Sequence, residues 1–159
     1  MLTNAGPAYE SPFPYEPSRI RAAAIYCSDG RLGVHFDDFL FNCLQLPRYD
    51  RLVLPGGAAC LVGHFRTYRE GDMLMEHLSF LVEYHDLRRV VIMAHENCAY
   101  YTERLRSRSL NLPQLQRNDL RDAAQRISER YPHLRIDAYF AQPNDDRVLF
   151  EAVEIAPAG

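Results

Sequence analysis

Cys27, His95 and Cys98 are the side chains whose types and spacing could do chemistry together in this 159-residue chain. Two thiolates and an imidazole suit zinc, and a site with three protein ligands leaves a fourth position for water or another group. Hard ions such as magnesium prefer oxygen. His95 and Cys98 stand three apart, so a turn into a helix points both at one ion, and Cys27 joins them if its strand lies adjacent. Asp29 and Arg31 follow Cys27 on alternate positions. A carboxylate held by a guanidinium is kept ionised and oriented. Two roles for Asp29 stay open on this reading. It binds the metal directly as a fourth ligand, or it pairs with Arg31 and takes up the hydrogen of a zinc-bound hydroxide.

The remaining candidates carry plainer readings. Cys43 and Cys60 are expected as small buried residues, since free cysteine is among the most buried types and neither has a partner at chelating spacing. His35 reads as a solvated helix histidine, and His77, His85 and His133 as surface or packing residues. His64, with Arg66 and Tyr68 close by in sequence, is a candidate for the mouth of the site. Gly56 and Gly57 read as a turn that needs positive φ. Tyr100 and Tyr101 read as core or interface aromatics.

The elements that must position these residues follow from periodicity. Ile20 to Cys27 is a short apolar run that ends in the polar Ser28-Asp29-Gly30, as a strand buried on both faces would. Val34 to Leu46 has helical spacing and is stopped by Pro47. Asp50 to Leu54 is a second strand, closed by Pro55-Gly56-Gly57. Asp72 to Tyr84 puts Leu74, Leu78, Leu81 and Val82 on one helical face. Arg89 to Ala94 is a buried strand that runs directly into His95, and a helix is expected from about Cys98. A further helix, Leu115 to Arg130, turns Leu120, Ala123, Ala124 and Ile127 inward. Arg135 to Ala141 is a fourth strand, and a turn at Pro143 to Asp146 leads to a last one at Val148 to Val153. Strands alternating with helices predict an α/β fold with a mostly parallel sheet. Both candidate loops then begin at carboxyl ends of strands, where open α/β sheets bind ligands.

A hydrophobic share of 47% with 25% charged residues excludes a disordered or fibrous chain, and the length suits one domain. Residues 1–18, rich in Pro, Tyr and Glu, read as an extended arm and residues 19–159 as the zinc-binding domain. A net charge of −3 provides no basic field for nucleic acid. No apolar run approaches the length of a membrane span, and no leader pattern opens the chain, so a cytoplasmic protein is expected.

Taken together, Cys27-x-Asp29-x-Arg31 and His95-x-x-Cys98 resemble the paired motifs of the β-class carbonic anhydrases, and the resemblance runs from about Arg19 to Val153. It implies a parallel sheet ordered 2-1-3-4 with a short final edge strand, and Zn2+ on Cys27, His95 and Cys98. It also implies that Asp29 and Arg31 form a catalytic gating dyad, that the chain assembles as a homodimer or larger homo-oligomer, and that a zinc-bound hydroxide hydrates carbon dioxide reversibly to bicarbonate. The chain departs from the family pattern on the substrate side. Pro55-Gly56-Gly57-Ala58-Ala59 replaces an Arg-Asn-Ala-Gly stretch, Ala99-Tyr100-Tyr101 stands where Gly usually follows the second Cys, and with Cys27 so near the start the long helical amino-terminal arms of the family are not expected. Two alternatives follow: a hydrolase of carbonyl sulfide or carbon disulfide, and a non-catalytic zinc-containing binding module closed by Asp29.

Overall fold

The computed structural model describes residues 6–64 and 67–156. Small and branched apolar side chains build its two central strands, β1 (Ala22–Cys27) and β3 (Arg89–His95), which are buried along nearly their whole length. Burial on both faces requires helices on both sides, as in parallel sheets generally. With β2 (Asp50–Leu54), β4 (Arg135–Asn144) and β5 (Arg147–Val153) they form one sheet in the order β2-β1-β3-β4-β5. The first four strands are parallel and β5 returns antiparallel, which is the expected order with its final edge strand.

Alternate residues of the strands serve two cores. Ala23, Ile25, Val90, Ile92 and Phe140 pack under α2 (Tyr68–Tyr84) and α3 (Leu112–Arg130). Ala24, Tyr26, Val91 and Met93 pack on the opposite face against Phe36, Phe39 and Leu40. These last three come from α1 (Gly33–Asp38) and the turn that continues it.

Several boundaries differ from expectation for local reasons. The helix expected over 34–46 is α-helical only to Asp38 and then widens into a π turn, Phe39–Cys43, with the Leu44 N–H on the Phe39 carbonyl at 3.0 Å. The wider turn keeps Phe39 and Leu40 on the sheet and leaves Cys43 exposed, so Cys43 is not the buried residue expected. In place of a helix from Cys98 there is a second π turn, Tyr100–Arg104. The last helix begins at Leu112 because Asn111 caps it, accepting from the Gln114 N–H at 3.1 Å, and Pro113 suits its first turn. The β4–β5 turn tightens to Asp145-Asp146, with Asp145 left-handed at φ 53°.

Beyond β2 the chain makes a 3₁₀ turn, Gly57–Leu61, buried throughout. Gly56 and Gly57 enter it at φ 78° and 52°, as expected of a turn needing positive φ. Residues 6–18 contain neither helix nor strand and are exposed, Tyr9, Phe13 and Tyr15 among them; residues 1–5 of the arm lie outside the described residues. Among the described residues no helix is long and apolar enough to cross a membrane.

α2 rests on the 3₁₀ turn at Gly71, where an added Cβ would press on the Cys60 carbonyl oxygen well inside contact distance. In an open helix Gly→Ala stabilises by about 1 kcal/mol. Gly71→Ala is expected to reverse that sign and destabilise by about 1–3 kcal/mol through overpacking, read as a lower urea midpoint with an unchanged slope.

Candidate metal centre

The strand order brings Cys27, the last residue of β1, beside His95, the last residue of β3. Beyond His95 the chain must turn sharply to bring Cys98 back. Asn97 makes that turn in the left-handed region at φ 57°, a conformation Asn tolerates better than most residues. The Cys27 and Cys98 sulfurs come to 3.8 Å, and the two sulfurs and one His95 ring nitrogen lie within 4.8 Å of one another. All three residues are buried.

The hydrogen bonds of this cluster select the free atom. His95 Nδ1 donates to the Glu96 carbonyl at 2.8 Å, which fixes the proton on that nitrogen because a carbonyl only accepts. Nε2 is then a bare lone pair, buried and without a partner among the described residues. A buried polar atom left in this way is costly unless something fills the role of donor or Lewis acid. A soft donor set of two sulfurs and an imidazole nitrogen matches zinc, so the residues present fit that ion.

The electrostatics agree. A hydrogen bond from Cys98 holds the Cys27 thiol well below the usual thiol range, against the opposing effect of burial, and the Gly56 N–H adds to it. Cys98 moves up correspondingly, because it donates to Cys27 and is itself buried. The Gly56 N–H reaches Cys27 Sγ at 3.4 Å, so the glycine turn after β2 belongs to the site through its backbone.

Asp29 lies on the rim of this cluster and is taken up by Arg31. Oδ1 accepts from the Arg31 N–H and Nε, each at 3.0 Å, and Oδ2 accepts from Nη2 at 2.6 Å. These bonds, to the side chain foremost, hold the Asp29 carboxyl at about 2, so it is ionised through neutral pH. Arg31 itself is largely exposed. The Asp29 carboxylate is thus on the guanidinium in this structure.

The comparisons with known proteins bear on this geometry. The family described as "putative carbonic anhydrase" matches residues 18–152. The chain belongs to that family. Among solved structures, the β-carbonic anhydrase CafA of the fungal pathogen Aspergillus fumigatus aligns over 86% of this chain and 77% of its own at 13% identity, with a TM-score of 0.50, and shares the fold. The β-carbonic anhydrase isoform I of the protozoan Trichomonas vaginalis aligns over 82% of this chain and 81% of its own at 15% identity, with a TM-score of 0.45. No curated protein matches the chain.

The other sequence candidates fall elsewhere. His64 turns its Nε2 to Asp119 Oδ2 at 3.0 Å, Tyr68 is exposed, and Arg66 lies outside the described residues. Cys60 is buried against the Tyr100 hydroxyl. Tyr100 and Tyr101 are both buried, as expected of core aromatics. Two buried polar residues of α3 at this end of the sheet, Gln116 and Asp119, have no counterpart in the sequence reading. Extending the inward row Leu120, Ala123, Ile127 back by one turn arrives at Gln116, a polar residue on an apolar face, and that was the available signal.

Proposed function

We propose that this chain is a zinc-dependent carbonic anhydrase-like lyase that interconverts carbon dioxide and bicarbonate, with Cys27, His95 and Cys98 as metal ligands. The observation that carries the reading is the buried, unpartnered His95 Nε2 beside two sulfurs, in a chain of the carbonic anhydrase family. Zinc held there supplies a Lewis acid that lowers the pKa of a coordinated water enough to provide a nucleophile at neutral pH.

The chain's own residues do the rest. The Glu96 carbonyl fixes the His95 tautomer that leaves Nε2 to the metal. Asp29, ionised, is the acceptor that orients the hydrogen of the attacking group, and Arg31 keeps the carboxylate off the metal by engaging both its oxygens. This pairing weighs against the closed, non-catalytic site. The buried, apolar Gly57–Leu61 turn, without the amide and guanidinium expected of the family, supports a second reading in which a sulfur analogue, carbonyl sulfide or carbon disulfide, is hydrolysed at the same centre.

A reducing, cytoplasmic setting suits four free cysteines of which two are ligands. A homodimer or larger homo-oligomer is supported by the exposed row Met73, Phe80 and Tyr84 on α2, beside the open edge of β2. The net charge of −3 favours a small-molecule substrate over nucleic acid.

Stopped-flow hydration of carbon dioxide by protein of known zinc content tests the function. Turnover proportional to zinc is expected; full zinc with no turnover would direct the assay to the sulfur analogues. Cys98→Ser should weaken zinc by more than about 100-fold, since loss of partners that merely orient ligands already costs about 10- to 100-fold; full zinc retention on dialysis against a chelator would remove Cys98 from the ligand set. Asp29→Ala should keep its zinc and lose about 10²- to 10⁴-fold in kcat/KM. Undiminished hydration by that variant would take Asp29 out of the mechanism.

A further inference from the structure

The inner face of α3 carries two polar residues in an otherwise apolar row. Gln116 and Asp119 are buried with Leu120, Ala123 and Ile127, three residues apart on one helical face. Buried polar groups need partners, and here the partners lie on the loops of the metal centre. Gln116 Nε2 donates to the His95 carbonyl at 2.7 Å. Asp119 Oδ2 accepts from the Tyr101 hydroxyl at 2.7 Å and from His64 Nε2 at 3.0 Å. Tyr101 in turn bears on Cys98: its backbone N–H donates to the Cys98 carbonyl at 3.1 Å.

We infer that Gln116 and Asp119 are positioning residues for the metal centre, gripping segment 95–101 at its two ends and so setting how far the His95 and Cys98 donors stand apart. The inference rests on the zinc reading above. One helix holds both ends of the segment, so the left-handed turn at Asn97 is spanned by a rigid element. The loop after β2 is tied to the same carboxylate through His64.

A purely structural role fits Gln116 poorly. Its Oε1 is buried without a partner among the described residues, so an apolar side chain of similar length would fill the space without orphaning an oxygen. The useful atom of this amide is the nitrogen on His95. The Tyr101 hydroxyl is held as a donor by the buried Asp119 oxygen that accepts from it.

The test compares zinc affinity, measured by chelator competition on the folded full-length chain, with the melting temperature of the metal-free protein. Tyr101→Phe removes one oxygen and Gln116→Met removes the amide; each is expected to weaken zinc by about 10- to 100-fold and to shift the thiolate-to-metal absorption of the Co2+-loaded protein. The metal-free melting temperature of Gln116→Met should stay close to that of the wild type. Val90→Ala, at the opposite end of β3, should lower the melting temperature with zinc affinity unchanged. Should Gln116→Met fail to fold, Tyr101→Phe carries the comparison. Wild-type zinc uptake with unaltered affinity in Tyr101→Phe, or a loss no greater than that of Val90→Ala, would overturn this inference alone. A wild-type chain that takes up no zinc would overturn both this inference and the reading beneath it.

Discussion

A bare imidazole nitrogen buried beside two sulfurs is the constraint around which the C-terminal end of this sheet is organised. The Cys27 and Cys98 sulfurs lie 3.8 Å apart, with His95 Nε2 close by and its other nitrogen committed to a carbonyl. Such a cluster is unfavourable as an ordinary core, because burial penalises both the thiolate and the orphaned lone pair. A dication bound there would relieve both at once, and metal binding would then be coupled to the stability of this end of the fold. The strand order that makes β1 and β3 neighbours is what allows the thiol at position 27 to meet the imidazole at 95 and the thiol at 98.

Charge is graded outward from that cluster. The sulfurs and imidazole are buried, Asp29 is partly so, and Arg31 reaches into solvent. An exposed guanidinium and a sheltered carboxylate differ in what they can hold. Arg31 is too solvated to contribute much stability as an ion pair, but its bidentate geometry fixes which way the Asp29 oxygens point. The pair therefore acts as an orienting device more than as a staple.

Much of this was legible in the amino-acid sequence. β1 and β3 are continuous apolar runs that end in polar, ligand-type residues, so their type and the place of their functional ends could be read from local pattern. The Asp29–Arg31 contact is also local, two residues apart. What local pattern does not carry is the pairing of distant groups. Asp119 meets His64 across 55 residues, and Gln116 meets His95 across 21; helical spacing places Gln116 on the inward row, but no short motif says which distant group either residue meets. The π turn at Phe39–Cys43 was equally hidden, since its residues have ordinary helical spacing and only packing against the sheet selects the wider turn.

The same long-range packing shows that two of the chain's departures from the β-carbonic anhydrase pattern, at Gly56-Gly57 and at Tyr100, are one physical feature. The Tyr100 ring lies so close over Gly56 that a Cβ there would overlap the ring, and Gly56 also needs its φ of 78°. An aromatic two residues past Cys98 thus requires a glycine after β2, and that glycine in turn offers its N–H to Cys27 Sγ. At Gly57 a Cβ would come within 2.8 Å of the β1 backbone at Tyr26, so the whole turn is pressed onto the strand that ends in Cys27. Where the family pattern has polar side chains, this arrangement puts backbone close to the Cys27 sulfur.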